Sequence, residues 1–122
     1  MDGYRNLRVY EKSYKAAVKA YEMSKGFPKE ERYALTSQMQ RAATSIPLNI
    51  AEGYAKRSSQ QEFKRFLLMA VGSANEVSVL LDFAKDFGYI REAEYLEMSR
   101  EYDGIGRMLN EFIKTVETKS RI

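Results

Sequence analysis

Residues 45–53 read SIPLNIAEG, and the fold turns on whether they end one helix or run through the middle of one. Proline inside a helix costs about 3 kcal/mol and glycine about 1 kcal/mol relative to alanine. Yet Thr36, Met39, Ala43, Ile46, Ile50 and Gly53 keep a three-four spacing through the proline without losing phase, which marks a helix that buries one stripe. The stretch therefore reads as the interior of a single helix over about 28–57, kinked at Pro47, whose ring removes the bond to the carbonyl of residue 43. Ser45 and Asn49 offer hydrogen-bonding groups near the freed backbone. The small residues Ala42, Ala43, Ala51 and Gly53 allow a neighbouring helix to come close.

Three further helices flank it. Upstream, Leu7, Tyr10, Tyr14, Ala17, Tyr21 and Ser24 form the stripe of a helix over about 6–26, closed by Gly26 and followed by Pro28, a stop and then a residue suited to start the next helix. Downstream, Ser59 with Glu62 reads as a capping box opening a helix over about 60–88. Its stripe is Phe63, Leu67, Ala70, Ala74, Val77, Leu81 and Ala84, and Gly88 ends it. The last helix, about 91–118, carries Tyr95, Met98, Tyr102, Ile105, Leu109, Phe112 and Val116. The GIG at 104–106 falls inside that stripe, so it is not a dinucleotide-binding loop. No strand-like alternation or repeat competes. A chain of 122 residues is sized for one domain, 1–122, with one core. The class is all-α, and short connections pack most simply as an antiparallel up-down-up-down four-helix bundle. Gly72, Ser73 and Ala74 on the third helix are as small as the proline segment, which places a close crossing between the two.

The chain contains no cysteine and no histidine. Disulfides, thiolate chemistry and the commonest general base and metal ligand are thereby excluded. Glu52 and Glu76 are expected to face each other across the close crossing, but a di-iron bundle pairs carboxylates with histidines. No metal, no cofactor and no enzymatic activity are expected, and these carboxylates should bond Arg41, serine hydroxyls or backbone N–H groups. The N-terminus lacks the pattern of a leader, and no apolar run reaches the roughly 18 residues that span a bilayer. A soluble, cytoplasmic protein with no membrane partner is the expectation.

The third helix is also apolar outside its stripe, at Phe66, Leu68, Met69, Val71, Val79, Leu80 and Phe83. A helix apolar on most of its circumference is buried on several sides, which points to a homo-oligomer; the alternative is a thicker core shielded by the tyrosines. Charge is distributed unevenly. In an up-down bundle one pole gathers Arg5, Arg8, Lys12, Lys56, Arg57, Lys64, Arg65, Lys114, Lys119 and Arg121 against Asp2, Glu11, Glu52, Glu62, Glu111 and Glu117, while the other has five basic against eight acidic residues. Helix dipoles account for part of this, but not for Lys64, Arg65, Arg5 and Arg8 at helix starts. With Lys56, Arg57, Ser58 and Ser59, the stretch AKRSSQQEFKRF (55–66) is the candidate contact for a nucleic-acid backbone. Arg8, Lys12, Lys15 and Lys19 form a second basic line on the first helix, read as a wet face.

FPKEERYALTSQMQRAATSIPLNIAEGYAKRSSQQEFKRFLLMAVGSANEV resembles the signature region of the four-helix bundle proteins encoded by intervening sequences in bacterial 23S ribosomal RNA genes. It is similar, more distantly, to the accessory variability proteins of diversity-generating retroelements. The resemblance runs from LRVYEKSYK to GRMLN. It implies a homopentameric ring with a basic surface and a role in binding RNA or a ribonucleoprotein. Shared motif positions are Arg41, Ser45, Ile46, Pro47, Asn49, Ile50, Ala51, Glu52, Gly53, Gly72, Ser73 and Glu76, read as architectural. Gln40 and Val71 stand where basic residues are common, so part of the basic character is missing. The leading expectation is a non-enzymatic, oligomeric RNA-binding bundle using Arg5, Arg8, Lys56, Arg57, Ser59, Lys64 and Arg65. The alternative is a protein-interaction scaffold that recruits a protein partner without touching nucleic acid.

Overall fold

The computed structural model describes residues 3–119, so Asp2 and Arg121 of the basic pole lie outside the described residues. Four helices make up almost all of it: α1 (Arg8–Ser24), α2 (Leu35–Ala55), α3 (Gln60–Asp86) and α4 (Glu92–Lys119), with 3₁₀ turns at Tyr4–Asn6 and Lys29–Glu31 and no strand among the described residues. Each helix packs on two neighbours, in the order α1–α2–α3–α4 and back to α1.

SIPLNIAEG lies wholly inside α2, which continues through Pro47. The helix expected from residue 28 begins later, because Pro28 is extended and residues 29–31 make only a 3₁₀ turn. Glu31 marks the true start. Its carboxylate accepts a bond from the Leu35 N–H at 3.3 Å and another from the Tyr89 hydroxyl at 2.8 Å, so one side chain satisfies an orphan donor of α2 and ties it to the α3–α4 connection. Phe27 stacks on Tyr89 beneath this knot, with ring centroids 5.7 Å apart.

The core is a single cluster drawn from all four helices. Every residue of the expected α3 stripe is buried, as are Met39, Ala43, Ile46, Ile50 and Gly53 of α2. The α4 stripe holds too, with Ile113 rather than Phe112 taking the deeper place. Helix α1 departs from expectation. Its buried side is Val9, Ser13, Ala16, Ala17, Ala20 and Ser24, whereas Tyr14 and Tyr21 remain 54% and 43% exposed. Small residues let α1 lie close to the core, and the two buried serines satisfy themselves: Ser13 donates to the Tyr10 carbonyl at 3.0 Å and Ser24 to the Tyr21 carbonyl at 2.7 Å. Desolvating those hydroxyls is thereby offset.

Helix α3 ends on Gly88, whose φ of +80° is open to glycine at little cost. The Tyr89 N–H then reaches back to the Ala84 carbonyl at 2.8 Å. Among the described residues α3 alone is long and apolar enough to cross a bilayer, although polar residues such as Asn75 and Glu76 interrupt its apolar run. A core helix passes the same test, and here the Phe63–Ala84 stripe is packed inside the bundle.

Candidate interaction surfaces

The basic turn between α2 and α3 is built largely of cations already engaged within the chain. Ser59 caps α3 as expected, accepting from the Glu62 N–H at 3.2 Å. The reciprocal half of the capping box is absent: the Ser59 N–H goes to the Lys56 carbonyl at 3.0 Å, and the Glu62 carboxylate takes two bonds of 3.1 Å from Arg65. Those bonds hold the Glu62 carboxyl below the usual glutamate range. Lys64 pairs with Glu117 of α4 at 2.5 Å, and Lys56 with Glu52 at 3.9 Å. Lys56 and Arg65 also lie over the ring of Phe66, at 5.3 and 4.5 Å. The opposition of Lys64 and Arg65 to their helix dipole thus has a partner-based explanation inside the protein.

Arg5, Arg8, Arg57 and Lys119 have no carboxylate partner among the described residues. Arg57 stacks on Tyr54 at 4.1 Å while donating to the Tyr54 carbonyl at 2.9 Å, and Arg5 lies over Tyr4 at 4.9 Å. Arg57, Ser58 and Lys119 line an open hollow of about 560 Å³ floored by Phe63 and Phe112. Arg8 sits in a different hollow beside Arg107 and Glu111, and Arg5 in a third beside Glu11. The hollows of Arg8 and of Arg57 adjoin, both lined by Leu7, Phe112 and Thr115, whereas that of Arg5 shares no lining residue with either. Of the second basic line, Lys19 is not free solvent-facing charge: it donates to Glu101 of α4 at 2.8 Å, which raises its pKa.

Around Pro47 the expected close crossing is present between α2 and α3. Ser45 Oγ donates to the Ala42 carbonyl at 3.0 Å and shares a hydrogen bond with Ser73 Oγ across the interface. Asn49 Nδ2 donates to the Ser45 carbonyl at 2.8 Å. A Cβ on Gly53 would fall 2.9 Å from Phe66 Cβ and 3.3 Å from the Phe63 carbonyl oxygen, so glycine is required there by closeness. Three expectations fail. Gly72 faces outward with nothing near it. Ala51 lines the α1 side of α2 instead. Glu52 and Glu76 do not face each other: Glu52 pairs with Lys56 close to Phe66, while Glu76 lies a level away beside Arg41, Ala42 and Ser45. Arg41 bonds the Ser37 hydroxyl at 3.2 Å rather than a carboxylate. Among the described residues no group of three acidic side chains is placed to hold a metal ion.

Among the described residues, two further open surfaces are largely apolar. Between α1 and α2 runs a groove of about 430 Å³, floored by Ala17, Pro47 and Ala51 and walled by Tyr10, Tyr14, Tyr21, Val18 and Leu48. Elsewhere, the outer side of α3 presents Leu68 at 50%, Val79 at 52% and Phe83 at 48% exposure, with Met69 and Phe87 beside them. Phe66 and Leu80, expected outside the core stripe, are buried.

The model of the 23S rRNA-intervening sequence protein family matches residues 5–111. The chain belongs to that family. Among solved structures, it is similar to a protein of unknown function from the S23 ribosomal protein family of Bacteroides thetaiotaomicron, at 28% identity and a TM-score of 0.79, over 87% of this chain and 98% of that one. No curated protein matches. In this member of the 23S rRNA-intervening sequence protein family, residues 5–111 take in Pro47, Gly53, the basic turn, α3 and most of α4.

Proposed function

We propose that the protein is a non-catalytic helical scaffold that assembles with copies of itself, its helices running up, down, up, down. In support of that topology, Ser24 near the end of α1 bonds Gln40 near the start of α2, the end of α2 meets the start of α3 at Gly53 and Phe66, and Lys64 meets Glu117 where α3 begins and α4 ends. The observation that carries the self-assembly reading is the outer face of α3. Leu68, Val79, Phe83 and Phe87 form an apolar surface that the chain's own core leaves uncovered, and such surfaces mark interfaces. A ring of five is the count implied by the resemblance of the sequence. Light scattering at micromolar concentration tests the reading: one discrete species well above 14.1 kDa is expected, and a monomer overturns it.

A nucleic-acid contact at the basic pole is the second reading. It is favoured by Arg5, Arg8, Arg57 and Lys119, which form no ion pair among the described residues, and by the ribosomal RNA in the family's description. Assembly would multiply individually weak contacts. Fluorescence anisotropy with structured RNA at about 50 and 200 mM salt is the test, because several phosphate contacts weaken by orders of magnitude over that range. Binding that falls steeply with salt and is lost in an Arg8→Glu plus Arg57→Glu variant supports it. No binding at low salt leaves the scaffold reading, with a protein partner in place of RNA.

A further inference from the structure

We propose that the hollow at the basic end of the bundle binds a single-chain organic anion, with the charged head at Arg57 and Lys119 and the apolar chain running into the adjoining hollow of Arg8. This requires neither self-assembly nor nucleic-acid binding. Helix ends gather here. Leu7 just before α1, Phe63 near the start of α3, and Phe112 and Val116 towards the end of α4 make an apolar floor, while Arg57, just past the end of α2, stands at its edge. The hollow is about 560 Å³, the size of sites that take small molecules, which are apolar inside and carry a few placed polar groups. The floor is held together across the bundle: Phe63 and Phe112 meet edge to face with centroids 5.3 Å apart, and the Gln60 amide donates to the Val116 carbonyl at 3.3 Å.

Charge fixes the class of ligand. Among the described residues that line this hollow, Arg57 and Lys119 are basic and none is acidic. Arg57 is already oriented, its planar group stacked on Tyr54 at 4.1 Å with one bond to the Tyr54 carbonyl at 2.9 Å, and a guanidinium carries further N–H donors. An anion that meets a pre-placed cation loses less entropy than one that must order it. The neighbouring basic side chains do not extend these two into a track for a polyanion, because Lys56, Lys64 and Arg65 pair with Glu52, Glu117 and Glu62. A nucleic-acid strand needs cations along its backbone, whereas a single head group needs only this mouth. The chain of the ligand also has a direction. Leu7, Phe112 and Thr115 continue the floor into the second hollow, of about 520 Å³, where Val9 and Met108 add apolar surface and Glu111 offsets part of the charge of Arg8 and Arg107. Arginine stems cover apolar surface while their heads stay in water, so that hollow suits a chain rather than a second head. An acyl carboxylate and an alkyl phosphate share this chemistry.

The test is calorimetric titration of the protein with dodecanoate, dodecyl phosphate and dodecyltrimethylammonium, each kept below its micelle concentration. The expected result is one saturable site per subunit for at least one of the two anions, the tighter of them naming the head group, with the cation weaker by about tenfold or more. Arg57→Gln combined with Lys119→Gln should weaken the anion by about tenfold or more. Thr115→Trp, which fills the place where the two hollows join, should abolish binding. All three positions are exposed, so helical circular dichroism should not change. Phe83→Glu, on the outer face of α3, should leave binding as it is. Equal affinity for the cation overturns the proposal. So does saturable binding that survives Thr115→Trp and is lost with Phe83→Glu, which moves the ligand to the α3 face. No binding of either anion overturns it outright, and a single-stranded RNA that then binds and is lost in the Arg57 and Lys119 variant makes nucleic acid the occupant instead.

Discussion

Gly53 of α2 and Phe66 of α3 meet so closely that a methyl group on the glycine would stand 2.9 Å from Phe66 Cβ. Closeness requires the glycine inside α2, whereas the proline faces a different neighbour. Pro47 is part of the floor of the α1–α2 groove, and Gly53 lets the start of α3 lie against the end of α2.

Gly53→Ala should therefore destabilise the fold. Overpacking costs about 1–3 kcal/mol, and the gain of about 1 kcal/mol in helix propensity offsets only part of it. The Phe63 carbonyl at 3.3 Å is backbone and cannot swing aside. Urea denaturation should show a lower midpoint for this variant, and an unchanged or higher midpoint would contradict the close crossing.

Tyr102 is fully buried, and its hydroxyl has no hydrogen-bond partner. Burial pushes its pKa far above the ordinary 10.0. Because the folded value is raised above the unfolded one, the stability tied to the neutral phenol is complete below pH 10 and is lost as pH rises beyond it. Tyr102→Phe should leave stability at pH 7 equal or up to about 1 kcal/mol higher, since it removes an unsatisfied group. It should also move the onset of alkaline unfolding upward. Thermal melts of both proteins from neutral to alkaline pH measure the two effects together.

The Lys64–Glu117 pair joins the start of α3 to the end of α4 but stays well exposed, with side-chain accessibilities of 40% and 36%. Exposed pairs contribute about 0–1 kcal/mol. Lys64→Gln should accordingly lower the melting temperature by a few degrees at most, and the loss should shrink in high salt. A large, salt-independent loss would show that the pair has another role.

Phe83→Glu places a charge on the outer face of α3 without touching the core, because Phe83 lies off the buried stripe. The variant should keep its helical circular dichroism and its cooperative melt while losing assembly in sedimentation. Unfolding instead would mean that the contact of Phe83 with Phe87, ring centroids 5.6 Å apart, holds the subunit rather than the assembly.

The sequence read most clearly where burial and residue type agree. In α3 every member of the Phe63–Ala84 stripe is apolar and buried, so spacing alone located the core. In α1 the two criteria part. Ser13 and Ser24 are buried because they bond their own helix's carbonyls, and the larger tyrosines are displaced to the surface. Placing Tyr10, Tyr14 and Tyr21 in the core rotated the expected stripe away from Ser13 and Ala20, although Ala17 and Ser24 do lie on the buried side. Ser73 and Gly53 were legible as a crossing, but Gly72 was not, since smallness does not say which way a residue faces. At the basic turn, the Glu62–Arg65 spacing carried a readable signal of pairing. Lys64 with Glu117 did not, because only the folded bundle brings them together.

Hydroxyl-radical footprinting at micromolar concentration tests the self-assembly claim most directly, by asking whether the outer face of α3 is covered in solution. Tyr33 and Leu96, exposed and not among the residues of either apolar surface, serve as internal references. Leu68, Met69, Phe83 and Phe87 are predicted to be oxidised far more slowly than their exposure in a single subunit dictates, and to regain reactivity on dilution. Oxidation of these four at rates matching their single-subunit exposure, independent of concentration, would contradict the account.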